Sequence, residues 1–166
     1  MATPTTLPAS FTAGQVLTAA QQNALRGAFR VLQVVQATTS TPVSTTSTSF
    51  VTSGLSASIT PSSTSSKVLV TVTLNAANQN TNGSAILTIF RGTVAGTNLY
   101  GANGFCTMYA SSGNTVANAV TNYLDSPATT SATTYTVGLK TGSALSSASV
   151  QDTNTTSTIT LMEISA

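Results

Sequence analysis

Residues 67–75, KVLVTVTLN, alternate side chains without a break, and a period of two does not fit a helix. Val68, Val70, Val72 and Leu74 share one face of a strand; Lys67, Leu69, Thr71 and Thr73 share the other. The first face is plainly core. Comparable strands are predicted over 31–37 (VLQVVQA), 48–60 (with Phe50, Leu55 and Ile59), 84–91, 116–124, 133–140 and 157–164. The segments between them, TPSSTSS, NQNTNGS, SSGN, SPATTS and KTGSALSS, carry the Gly, Pro, Asn and Ser residues that favour turns. They are too short and too polar to hold crossover helices, so the strands must pair antiparallel. The expected fold is mainly β, an antiparallel β-sandwich or jelly roll. Residues 38–49, TTSTPVSTTSTS, read equally as an irregular edge strand or as a flexible linker.

The first 30 residues follow different rules. Pro4 and Pro8 lie among threonines, which favours an extended arm. Thr18 and Gln21 then have capping-box spacing, and Ala19, Ala20, Gln21, Gln22, Ala24, Leu25 and Arg26 are good helix formers. Leu25, Ala28, Phe29 and Leu32 fall at helical spacing and give one short apolar stripe. A helix of about three turns is marginal alone, so it has to dock. The expected organisation is an arm and short helix over 1–30, followed by one β domain over 31–166; this length suits one core rather than two.

The chemistry available is sparse. Charged residues make up 5% of the chain, against about 25% in an ordinary soluble domain. The basic residues Arg26, Arg30, Lys67, Arg91 and Lys140 are scattered, which argues against nucleic acid, because phosphate binding needs a clustered basic face. With no histidine there is no Ser-His-Asp triad, and the commonest zinc ligand is missing. Asp125, Asp152 and Glu163 are the only carboxylates, and they stand apart in sequence. Asp125 precedes a Ser-Pro turn, and Glu163 alternates with Met162 and Ile164 on the last strand. GTVAG and GANG lack the context of a phosphate cradle and read as turns. The lone Cys106 reads as a buried small apolar residue. Tyr100, Phe105, Tyr109, Tyr123 and Tyr135 read as core or interface rings, with a sugar-stacking surface as the alternative. No catalytic residue, cofactor or metal site is therefore expected, and the chain reads as a non-enzyme. No stretch approaches the roughly 18 apolar residues of a membrane span, the best run, Val31 to Val35, being broken by Gln33, and MATPTTLPAS shows no basic-then-apolar leader. The expectation is no membrane insertion and synthesis in a cytoplasm.

An apolar fraction of 40% says that the chain folds despite its low charge. Sheet proteins guard their strand edges with lysine, proline and inward charges, and this one places Lys67, Arg91 and Lys140 only near strand ends. Long Thr/Ser/Val strands without such guards predict association. A homo-oligomer is expected, with a trimer as the first choice. Without histidine and with few carboxylates, little here titrates between about pH 5 and 8, so assembly should be nearly independent of pH in that range.

Two segments resemble a known family. LPASFTAGQVLTAAQQNALRGAF, residues 7–29, resembles the N-terminal segment of tailed-bacteriophage virion proteins, in which a Pro/Thr arm and a phrase like FTAGQVLTAAQ-N lead into β structure. FVTSGLSASITPSSTSSKVLVTV and YLDSPATTSATTYTV resemble the Ser/Thr-rich sandwich that follows in phage decoration, fibre and neck proteins. The resemblance covers nearly the whole chain. It implies a virion part in which Phe11, Val16, Leu17, Leu25 and Phe29 anchor the chain to the major capsid protein or another virion protein. The chain stops soon after its last strand with no coiled coil or collagen-like repeat, so a capsid decoration or cement protein leads. A tail, neck or head fibre subunit and a carbohydrate-binding module are the alternatives.

Overall fold

A computed structural model of the chain describes residues 14, 16, 18, 19, 31–78, 83–111, 114–144, 146–152 and 155–165. Within them the strands are β1 (Val31–Thr39), β2 (Val43–Thr45), β3 (Val51–Ile59), β4 (Lys67–Asn78), β5 (Gly83–Arg91) and β6 (Thr97–Asn98). They continue with β7 (Cys106–Ala110), β8 (Thr115–Asp125), β9 (Thr133–Thr141), β10 (Ala148–Val150) and β11 (Ser157–Ile164). Every pairing is antiparallel.

One sheet runs β1-β11-β4-β10-β2, with β8 on the other flank of β4; the second runs β3-β9-β5-β6, with β7 also on β5. The molecule is a sandwich of two antiparallel sheets, as the alternation requires. β11 and β10 share one flank of β4 end to end, covering Lys67–Thr73 and Ala76–Asn78 respectively. Gln151 joins them: it takes a left-handed φ of 57°, and its N–H donates to the Asn75 carbonyl at 3.1 Å.

The core lies where the alternation put it. Val68, Val70, Val72 and Leu74 of β4 and Ile159 and Leu161 of β11 meet Leu87 and Ile89 of β5 and Tyr135, Val137 and Leu139 of β9, all of them solvent-inaccessible or nearly so. Each such aliphatic side chain stabilises the fold by about 1.5–3 kcal/mol. The seven predicted strands all form, with ends shifted by a few residues. Residues 38–49 resolve to the edge-strand alternative, because Val43–Thr45 pairs with β10.

Three short strands escape the sequence reading: β6, β7 and β10. The signal for β7 was present, since Met108 and Ala110 are buried while Thr107 and Tyr109 are exposed. Leu32, placed on the helical stripe by its spacing, belongs to β1. There the 31–37 alternation pairs with β11 and overrides the helical spacing. Ala19 is helical, while the rest of the expected arm and helix (1–13, 15, 17, 20–30) falls outside the described residues. Cys106 is half-buried against the core rather than enclosed, and burial pushes its thiol above the usual range.

Candidate interaction surface

The outward face of the six-stranded sheet is built by the alternation that buries its other side. Registers across β1, β11, β4 and β8 align Val34, Met162, Leu69 and Leu124 into one apolar row. Val34 and Leu124 are each 57% exposed. The next row is Gln36, Thr160, Thr71 and Asn122, tied by Gln36 Nε2 to Thr160 Oγ1 at 3.2 Å and Thr71 Oγ1 to Asn122 Oδ1 at 2.9 Å. The third is Thr38, Thr158, Thr73 and Val120, the last of these 61% exposed. Among the described residues of this face, Lys67 alone carries a charge. Water therefore meets methyls, hydroxyls and amides over four strands. At about 4.8 Å between strands and about 3.4 Å per residue, eight-residue strands present roughly 500 Å² of sheet.

The described charges have partners of their own. Lys67 Nζ donates to Ser126 Oγ at 2.6 Å, and Lys140 Nζ sits 4.6 Å from the centroid of the Phe50 ring. Arg91 Nη1 lies 3.3 Å from Asp125 Oδ2, and the same oxygen accepts from the Tyr135 hydroxyl at 2.7 Å. Tyr135 is fully buried, so this bond fixes the end of β8 onto β9 through the core. Burial, followed by the hydrogen bond to Asp125, holds the phenol proton well above its usual range. Tyr135→Phe keeps the ring and removes a bond to a charged acceptor. It is expected to cost about 1.5–3 kcal/mol in urea unfolding without changing the fold.

Among the described carboxylates Glu163 is the most enclosed. Its Oε1 accepts from the Ser62 N–H at 2.7 Å and Ser62 Oγ at 2.6 Å; its Oε2 accepts from Gln33 Nε2 at 2.7 Å. Burial alone would raise its pKa, but the donors outweigh burial and lower it to about 2. Gln33 Nε2 also donates to the Thr60 carbonyl at 2.6 Å, so the carboxylate staples β1, β11 and the 60–66 turn. This is a structural pin, and the sequence reading missed it because its partners lie 101 and 130 residues away.

Neither a protein-family model nor a curated protein matches this chain.

The remaining chemistry stays dispersed. Among the described residues no three His, Cys, Asp or Glu side chains gather, and no helix is long and apolar enough to cross a membrane. An open recess lined by Arg91, Gly92, Thr93, Ala132, Thr133 and Thr134 has no carboxylate in its wall. The aromatic residues separate. Tyr100 packs on Phe105 and Tyr123 with centroids 5.4 and 5.1 Å apart, Tyr135 is core, and Tyr109 is 60% exposed. Of the expected anchor residues, Val16 is described and is 86% exposed; Phe11, Leu17, Leu25 and Phe29 lie outside the described residues. The sequence reading anticipated a surface without guards but did not place it. Locating it needed the register that lines up β1, β11, β4 and β8.

Proposed function

We propose that the chain is a non-enzymatic structural component of a tailed-bacteriophage particle, a capsid decoration or cement protein that covers and stabilises the assembled head as a homo-oligomer. The observation that carries this reading is the open, almost uncharged outer face of the six-stranded sheet. A protein that works alone in solution keeps a charged, patch-free surface, whereas a subunit covered by neighbours does not need one. Roughly 500 Å² is a large part of the about 800 Å² that one partner contributes to a standard interface. The likeness of residues 7–29 to the N-terminal segment of tailed-phage virion proteins supports the particle as the destination. In this reading Phe11, Val16, Leu17, Leu25 and Phe29 supply the attachment to the major capsid protein, and the β domain lies over the shell.

Quantitative mass spectrometry of purified particles tests the reading. A cement protein is expected at a copy number comparable with that of the capsid subunit, with heads lacking it breaking at lower temperature. A copy number matching a single tail or neck ring would move the chain to a fibre or neck role, and absence from particles would refute the virion reading. Deleting residues 1–30 is expected to abolish binding to decoration-free heads while leaving the β domain folded by circular dichroism; retained binding removes the anchor.

A further inference from the structure

β8 is a flank strand. It pairs with β4 along its whole length, and among the described residues no strand pairs with its other side. Which of its backbone groups face that open side follows from β4. The Asn75 carbonyl accepts from Gln151 N–H, so Asn75 and its alternate neighbours in β4 direct their groups towards β10 and β11. The intervening β4 residues, Val68 to Asn78, bond the odd-numbered residues of β8 that face them in register. The N–H and C=O groups of Val116, Asn118, Val120, Asn122 and Leu124 therefore point away from the sheet. An independent contact agrees: the Tyr100 hydroxyl reaches the Asn122 carbonyl from that side at 3.1 Å.

We infer that the open edge of β8 pairs with β8 of a second copy of this chain, antiparallel about a two-fold axis through Val120. The five outward residues read apolar, Asn, apolar, Asn, apolar, which is the same in both directions. Centred on Val120, antiparallel pairing sets Val116 opposite Leu124, Asn118 opposite Asn122, and Val120 opposite itself. Shifting the centre to residue 119 or 121 sets valine against asparagine and loses that match. Residues 115–124 contain no charge and no proline, the two devices that stop edge pairing. No like-charge pair forms at the axis. Five close pairs exchanging two bonds each give about ten hydrogen bonds. The Asn122 carbonyl has two lone pairs, so it can keep Tyr100 while accepting from Asn118 of the second copy. The apolar row Val34, Met162, Leu69, Leu124 then runs on into Val116 of the neighbour, joining two open faces into one. The contact deepens the reading of the chain as an assembly subunit, and it replaces the three-fold association expected from the sequence with a two-fold one.

The test uses the full chain. Sedimentation of the wild type at rising concentration is expected to approach twice the 16.7 kDa monomer mass. Val120→Pro removes an N–H that points out of the sheet and leaves the β4 ladder intact, so the variant should stay folded by circular dichroism and sediment as a monomer. In a Cys106→Ser background, Val120→Cys should form disulfide-linked dimers under mild oxidation, because facing residues of a close pair lie about 5.5 Å apart. Val116→Cys, whose copies would sit roughly 27 Å apart by strand rise, should cross-link at least tenfold more slowly. Equal rates for the two cysteines, or the same mass for wild type and a folded Val120→Pro variant, would overturn the edge contact. Particle association is read separately: an edge that pairs in a chain absent from virions sinks only the virion reading, and a monomeric virion protein sinks only the contact.

Discussion

Glu163→Ala is expected to lower the unfolding free energy by about 3–5 kcal/mol, because three neutral donors lose their charged acceptor at upwards of about 1 kcal/mol each. The carboxylate is solvent-inaccessible, and alanine leaves the Ser62 N–H, Ser62 hydroxyl and Gln33 amide without their acceptor. The effect carries a pH signature that separates it from simple loss of packing. The folded-state pKa of about 2 lies below the reference value of 4.5, so ionised Glu163 stabilises the fold fully above about pH 4.5. That contribution drains away as pH falls towards 2. Urea unfolding across this window should show wild-type stability dropping while the alanine variant loses less. Glu163→Gln keeps the shape but turns an NH₂ towards one set of donors, so it should lose the same pH slope at a cost of about 1–3 kcal/mol. Parallel pH curves for wild type and Glu163→Gln would show that the carboxylate is not what holds this corner.

Gly104→Ala is expected to cost about 2–4 kcal/mol, combining a left-handed backbone with overpacking against main chain. Gly104 has φ of 63°, and a Cβ there would lie 1.9 Å from the Leu87 carbonyl oxygen. That oxygen already accepts the Phe105 N–H at 2.8 Å, at the point where the chain enters β7. Backbone cannot step aside as a flexible side chain can. The loss should therefore appear in thermal unfolding as a lower midpoint and, in hydrogen exchange, as earlier exchange of the β5–β7 amides. By contrast Gly101→Ala, where φ is 75° and nothing lies within 4 Å, should cost only about 1–2 kcal/mol from the backbone alone.

The sandwich was legible because its main strands are long and alternate cleanly. In β4 as far as Asn75 and throughout β11 the buried positions recur at every second residue, and nothing in their sequences competes with a period of two. The short strands were less so. Thr97–Asn98 has two residues and no period at all, and Ala148–Val150 is buried throughout, so alternation is absent where it would have to be read. Leu32 shows the opposite failure, a residue that satisfied a helical spacing and a strand at once; it sits at the register irregularity between Val31 and Gln33, and the pairing of these neighbours with a strand more than a hundred residues away settles it. The interaction surface was half legible. Low charge announced an unguarded surface, but Val34, Met162, Leu69 and Leu124 lie far apart in sequence, and only register makes them neighbours. The polarity of the β8 edge was hidden for the same reason, since it depends on which carbonyl of β4 Gln151 takes.

Among the described residues β1 has its one ladder with β11, more than a hundred residues further along the chain, and β11 also fills the flank of β4 over Lys67–Thr73. The larger sheet therefore cannot close until translation has passed Ile164. A nascent chain released before Ser157 would carry two bare flanks at once, and its half-built sheet would be open to capture by the next polypeptide on the same message.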